Sequence, residues 1–312
     1  MTAESKAKHK REIDVLRANS LSRIPWLVHG FSTRTGGLSK AYGGRALNLG
    51  FTAQDSRAAV ERNRQALAAA VGAMPGAKAG TRLGAKTGAK KSSPLWPIVT
   101  LRQIHSDLIH CVSGIPSKPL AGDGLVTSNP EILLAVLTAD CLPVTLVDTN
   151  RRAVGVFHAG WRGTVKRIVE KGVGEMRRHF GSRPGDLKAV IGPGIRGCCY
   201  QIGPEVRDAF ESQFDYAPAL FRETKETDEI HEKYPLLFLT ARAPGHSQLP
   251  KRIFLDLAEA NRRQLLESGV PKKNISEITL CTACRTDILF SHRAEHGVTG
   301  RMMAAVGIQR LL

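Results

Sequence analysis

The chain is 312 residues long, 42% apolar, and carries 45 lysines and arginines against 28 acids, a formal net charge of +17. That apolar share suffices for a sizeable core, and no run approaches the roughly 18 apolar residues of a membrane span, which excludes a membrane-spanning helix. The first 23 residues and segment 75–94 together hold +8 of the charge, as solvated tail and loop do, and no nucleic-acid reading motif accompanies it, so no specific nucleic-acid partner is expected.

The N-terminus, MTAESKAKHKREIDVLRANS, is charged throughout and lacks the apolar stretch of a signal peptide; residues 1–20 read as a mobile tail ahead of one catalytic domain over 21–312. The expected compartment is the cytoplasm and the expected state a monomer. Segment 56–71, SRAAVERNRQALAAAV, has helical composition, with Ala59, Val60, Leu67, Ala70 and Val71 near one face. Residues 75–94, rich in Gly, Ala, Lys and Ser, read as a flexible basic surface insertion. Strand-like runs follow at Ile98–Ile104, Leu125–Thr127, Leu133–Thr138, Val144–Val147 and Val154–Phe157. Such near-continuous apolar runs belong to strands covered on both faces. Thr164–Phe180 reads as a helix stopped at Gly181, and Ala189–Ile191 as a short strand. Residues 222–252 read as a long polar loop, Phe254–Ser268 as a helix after a short strand, and Ile278–Cys281 and Asp287–Ser291 as the last strands. The expected fold class is α+β: a single domain with a mixed β-sheet core flanked by helices, a layered sandwich.

Three chemistry-bearing side chains end strand-like runs: His105 in LRQIHS, Cys141 in LTADC and His158 in VFHAG. Strand ends converge at a sheet edge, and one thiolate with two imidazoles suits zinc. Three protein ligands leave a fourth position for water, the catalytic arrangement. The competing reading is two core histidines and a buried cysteine. The six cysteines are too few for a secreted disulfide scaffold, and buried, metal-bound or catalytic roles suit them better. Cys281 and Cys284 form a CxxC, but a structural zinc needs four ligands, no second CxxC exists, and the adjacent pair Cys198–Cys199 suits chelation poorly, so free cysteines are expected there. The turns RTGGLS, HAGWRGT and IGPGIRGCCY lack a Walker or dinucleotide spacing; Arg34 and Arg162 within two of them are candidates for holding an anion.

The segments HGFSTRTGGLS, LNLG, QIHS, DGLVT, TADCLPV, HAGWRGT, IGPGIRGCCYQIG, FLDLAEANRRQL and SHR…TGRM, in this order, resemble a family first labelled multicopper polyphenol oxidoreductase or laccase domain. That family is now understood as purine nucleoside phosphorylase with adenosine deaminase and methylthioadenosine phosphorylase activities. The resemblance runs over residues 26–310. It implies His105, Cys141 and His158 as metal ligands and catalytic centre, Zn2+ rather than copper as cofactor, and inorganic phosphate as co-substrate. The implied substrates are adenosine, inosine, guanosine and methylthioadenosine, with deamination of adenosine to inosine. Candidate phosphate or nucleoside contacts are Arg34, Asn48, Arg64 and Arg162.

A multicopper oxidase assembles many histidines, often as H-x-H, and this chain has ten histidines and no H-x-H. Cys141 and His158 also suit a cysteine hydrolase's nucleophile and base, although a coordinated thiolate is a poor free nucleophile.

Overall fold

The computed structural model describes residues 13–74, 95–225 and 251–310. The 75–94 insertion and most of the 222–252 loop therefore lie outside the described residues. In chain order the elements are β1 (Val15–Leu16), β2 (Leu27–Ser32), α1 (Arg57–Val71), β3 (Ile98–Val99), β4 (Ile109–Cys111), β5 (Gly124–Thr127), β6 (Leu133–Thr138), β7 (Leu142–Asp148) and β8 (Ala153–Ala159). They continue with α2 (Trp161–Val165), α3 (Ile168–Phe180), β9 (Leu187–Ile191), β10 (Gln201–Ile202), α4 (Pro204–Glu211), β11 (Phe221–Lys225), β12 (Lys251–Leu255), α5 (Leu257–Glu267), β13 (Ile275–Glu277) and β14 (Met302–Ile308).

The class is α+β as expected, but the β core is divided. One sheet runs β1-β2-β14-β6-β3, a second runs β13-β9-β7-β8-β5-β4, and a small third sheet runs β10-β12-β11. Period-2 alternation explains how the two large sheets pack. On β6, Leu134 and Val136 face the second sheet's Val154, Val156 and Val190 in one apolar cluster, while Leu133 and Ala135 turn the other way, onto Leu67, Ala68 and Val71 of α1. On β8, Ala153, Phe157 and Ala159 point away from the first sheet into a cluster with Ile168, Val169, Val173 and Met176 of α3 and with α5. The layers are helix, sheet, sheet, helix, and the central strands β6, β7 and β8 are buried on both faces. Helix α3 rests almost directly on Phe157: a Cβ at Gly172 would lie 2.6 Å from the ring. Phe157 is fully buried, a burial worth about 2–3 kcal/mol.

Several expectations shift at element ends. Ser56 caps α1 by accepting from the Ala59 N–H, and Gly72 closes it in the left-handed region. The single helix expected over Thr164–Phe180 is two, because Arg167 adopts φ 64° between α2 and α3; Gly181 ends the second as read. Residues 13–20 are not a mobile tail: β1 pairs antiparallel with β2, and Ile13, Val15 and Leu16 pack against the cores. The ends of 222–252 are the paired strands β11 and β12 rather than loop. Ile278–Leu280 are irregular, Cys281 forms an isolated bridge to Gly194, and Asp287–Ser291 are turn, bend and irregular backbone; the last strands are β13, parallel to β9, and β14, which lies between β2 and β6. Among the described residues no helix is long and apolar enough to cross a membrane.

Candidate metal centre and cavity

His105, Cys141 and His158 meet. Their ligand atoms all lie within 4.8 Å of one another. Cys141 immediately precedes β7 and His158 is one residue from the end of β8, and the antiparallel register sets Pro143 opposite His158. The hairpin partners thus bring thiol and imidazole to one sheet end. Gly160 is required by the close approach: a Cβ there would sit 2.9 Å from Cys141 Sγ and 3.4 Å from His105 Cδ2.

His105 arrives differently. It is not on a strand, since β3 ends at Val99, but in a tight loop with φ 56°, a conformation costing a non-glycine residue on the order of 1 kcal/mol or more. The loop is held from both sides. The Gln103 amide mimics a strand partner to β6, donating to Leu137 O at 2.8 Å and accepting from Leu137 N at 2.7 Å. The carboxylate of Asp123 collects the N–H groups of Ile104, His105 and Ser106 at 3.2, 3.1 and 2.6 Å and the Ser106 hydroxyl at 2.7 Å. Its Oδ1 also lies 2.8 Å from His158 Nδ1.

Asp123 is therefore a candidate site residue that residue-by-residue reading missed; its only sequence signal is its place at the head of DGLVT. It is fully buried. Burial opposes its charge, but the hydrogen bonds from His158 and Ser106 outweigh that and hold its carboxyl down to about 2. Burial likewise opposes ionisation of Cys141, yet the imidazoles of His158 and His105 bring the thiol down to about 6. Burial also works against the His158 cation, and the Cys141 sulfur and Asp123 overcome it, raising the imidazole to about 9. Without a metal, Cys141 and His158 thus pair as thiolate and imidazolium; a metal ion would take the imidazole in its neutral form and release that proton, with Asp123 still holding Nδ1.

The three side chains open onto a cavity of about 550 Å³ that also reaches Gly50–Thr52, Tyr200, His292, Arg293 and Arg301. Asp140 shapes its wall. This residue has φ 94°, and its carboxylate accepts from Thr282 Oγ1 at 2.6 Å, Ser291 Oγ at 2.8 Å and the Arg293 N–H at 2.7 Å. The loop carrying His292 and Arg293 is thereby fastened beside Cys141.

The four residues expected to contact substrate do not gather in this cavity. Arg34 lines a separate cavity of about 730 Å³ with glycines of the RTGGLS turn. Its guanidinium donates to Thr286 O at 2.7 Å and Tyr42 O at 3.1 Å, pairs with Glu295 at 3.0 Å, and lies 4.6 Å from the Phe290 ring centre. It is occupied in joining two loops. Asn48 is fully buried and fixes the cavity edge from behind, accepting from the N–H groups of Gly50 at 3.1 Å and Arg301 at 2.9 Å. Arg64 donates to Leu49 O at 2.8 Å and lies 4.4 Å from the Phe51 ring centre, so it supports a lining residue. Arg162 lies over its neighbour Trp161 at 4.3 Å and is close enough to act electrostatically on Tyr200. The cations that do line the cavity, Arg293 and Arg301, come from the SHR…TGRM segment.

The α+β fold of two large packed sheets and a small third one sets one cysteine and two histidines, a candidate metal site, on a cavity wall. The chain belongs to the family described as multi-copper polyphenol oxidoreductase laccase, whose model matches residues 28–82 and 77–309. It is 30% identical over 284 residues to the purine nucleoside phosphorylase YlmD of Bacillus subtilis, covering 91% of this chain and 89% of that one. It is 35% identical over 184 residues to an adenosine deaminase, RL5, from an unknown prokaryotic organism, covering 59% of this chain and 61% of that one. The crystal structure of YlmD from Geobacillus stearothermophilus superposes with a TM-score of 0.71 at 31% identity, over 95% of this chain and 96% of that one.

Proposed function

We propose that the chain is a zinc-dependent purine nucleoside phosphorylase, acting on adenosine, inosine, guanosine and methylthioadenosine, that also deaminates adenosine to inosine. The observation that carries this reading is the convergence of His105, Cys141 and His158 on a cavity whose other walls bring Arg293, Arg301 and aromatic rings. The names of the relatives, a purine nucleoside phosphorylase and an adenosine deaminase, support the same substrate class.

The donor set fits zinc, with one soft thiolate, two imidazoles and room for an exogenous ligand. A blue-copper site adds a weak axial methionine, and among the described residues no methionine lines the cavity. A bound zinc ion supplies Lewis acidity and makes water nucleophilic near neutral pH, its pKa falling to ~7. Asp123 holds Nδ1 of His158 and so presents Nε2 to the centre. Burial keeps the Tyr200 phenol protonated, a hydrogen-bond donor at the cavity wall. In phosphorolysis a phosphate oxygen bonds to C1′ while the C1′–N9 bond breaks and the purine leaves with the electron pair. Arg293 and Arg301 meet the phosphate charge in this reading, the guanidinium geometry suiting bidentate contact. Phe51, half exposed at the cavity edge and flanked by the guanidinium groups of Arg57 and Arg64 at 4.9 and 4.4 Å from its ring, offers a face for the purine.

The test is product analysis with zinc-loaded wild type and Cys141→Ala. Inosine with phosphate should yield hypoxanthine and ribose 1-phosphate; adenosine without phosphate should yield inosine and ammonia; both should be lost in the variant. Nucleoside turnover that survives complete metal removal would favour a cysteine hydrolase, and diphenol oxidation by copper-loaded chain with no nucleoside turnover would favour an oxidase.

A further inference from the structure

The four cysteines outside the catalytic trio form a second cluster. The Sγ atoms of Cys198, Cys199, Cys281 and Cys284 all lie within 4.8 Å of one another, and all four are free thiols. Cys284 Sγ is 3.6 Å from Cys198 Sγ and 3.3 Å from Cys199 Sγ. A tetrahedral zinc with four sulfurs at ≈ 2.3 Å sets them about 3.8 Å apart, so the cluster needs only small side-chain adjustments to close on one ion.

The backbone explains why residues more than 80 positions apart arrive together. Parallel pairing of β13 with β9 runs on past the strand ends. Gly194 bridges to Cys281, with Gly194 N donating to Leu280 O at 3.3 Å and Thr282 N to Gly194 O at 3.1 Å. Arg196 adds a clamp, donating to Glu277 at 2.9 Å and to Ile278 O at 2.7 Å. The adjacency of Cys198 and Cys199 is not the obstacle that spacing suggested. Neighbours in a strand point to opposite faces, but these two occupy a turn in which the N–H groups of Cys199 and Tyr200 both bond Arg196 O at 2.8 Å, and both sulfurs reach Cys284. Cys281 and Cys284 form the other half in a turn closed by Arg285 N to Cys281 O at 3.0 Å. The N–H groups of Arg196 and Cys284 are directed at the Cys281 sulfur, as in a zinc knuckle, where backbone donors support thiolates.

We propose that Cys198, Cys199, Cys281 and Cys284 bind a second zinc ion as a closed four-thiolate structural site, distinct from the catalytic centre. A closed four-sulfur set leaves no position for substrate, so the ion's role is structural. It ties the loop that ends in Tyr200 to the loop that leads to His292 and Arg293, two parts of the catalytic cavity wall.

The experiment counts metal in full-length chain purified anaerobically from zinc-supplemented cells. Wild type should hold two zinc ions per chain. The variant His105→Ala/Cys141→Ala/His158→Ala, which leaves the four-cysteine cluster intact, should keep one; Cys281→Ser/Cys284→Ser should also keep one. Cobalt loaded into the triple variant should give the intense sulfur-to-metal charge-transfer band of four-thiolate coordination. If the cysteine variant fails to fold, the triple variant and the wild-type count still decide. One zinc in wild type and none in the triple variant would overturn the proposal. So would disulfides or an iron–sulfur chromophore at these cysteines.

Discussion

Asp123 Oδ1 lies 2.8 Å from Nδ1 of His158, and the same carboxylate gathers the three N–H groups of the loop that presents His105. One buried acid thus orients two of the three candidate ligands. Asp123→Asn keeps size and one acceptor but loses the charge and turns a donor toward the loop N–H groups. Metal affinity should fall roughly 10–100-fold, the usual cost of losing such a supporting partner. Competition with a chromophoric chelator measures it; unchanged affinity would show that Asp123 serves only the fold.

Gly160 isolates the steric demand of the site. Its φ of −74° and ψ of 170° suit alanine, so Gly160→Ala introduces no backbone strain, only a Cβ 2.9 Å from Cys141 Sγ. The variant should fold with a melting temperature near that of wild type and bind less than a tenth of its zinc at stoichiometric loading. Full zinc with full activity would mean that the thiol has room to move and that the close packing is incidental.

Arg34 and Arg301 should separate stability from anion binding. Arg34→Ala removes the ion pair with Glu295 and the donor to three carbonyl oxygens, those of Thr286, Leu289 and Tyr42, and should cost about 2–4 kcal/mol of stability, while leaving unchanged the ratio of ribose 1-phosphate formed from inosine to ammonia released from adenosine. Arg301→Gln should lower that ratio at least tenfold, chiefly through the KM for phosphate. A ratio that falls with Arg34 and not with Arg301 would move the phosphate site to the second cavity.

His29 supplies a pH test remote from the metal centre. Burial, with Arg17 adding to it, lowers its pKa from 6.5 to about 4. The folded chain therefore binds fewer protons than the unfolded one between these values. Stability is complete above pH 6.5 and declines as pH falls toward 4, by about 2 kcal/mol between pH 7 and 5 from this residue. Denaturant unfolding of wild type and His29→Gln at both pH values should show the smaller difference in the variant. An identical pH dependence would mean that His29 does not titrate as its burial requires.

Much of this architecture is legible in the sequence, for reasons that differ between elements. Leu133–Thr138 is recoverable to the residue because LLAVL is continuously apolar, Thr138 is β-branched, and Pro130–Glu131 and Asp140 punctuate its two ends. Met302–Ile308 is the central strand of its sheet yet escapes reading, since MMAAVGI carries little β-branched character and its identity comes from pairing with β2 and β6 rather than from local propensity. Cys141 and His158 are readable from strand ends because an antiparallel hairpin brings them together. His105 reaches the same point through a side-chain-built loop that no periodicity records. The pairing of Cys198 and Cys199 with Cys281 and Cys284 is fixed by a parallel register between distant strands, and Arg293 and Arg301, not Arg34, line the cavity of the His105–Cys141–His158 trio for the same reason: chain spacing does not encode which loops share a wall.

The central claim, phosphorolysis at the His105–Cys141–His158 centre, is tested most directly by following inosine cleavage by the zinc-loaded chain as phosphate is titrated from zero. No hypoxanthine should form without phosphate; with it, formation should saturate and yield one ribose 1-phosphate per hypoxanthine released. Hypoxanthine released at the same rate without phosphate, with free ribose as the co-product, would contradict it.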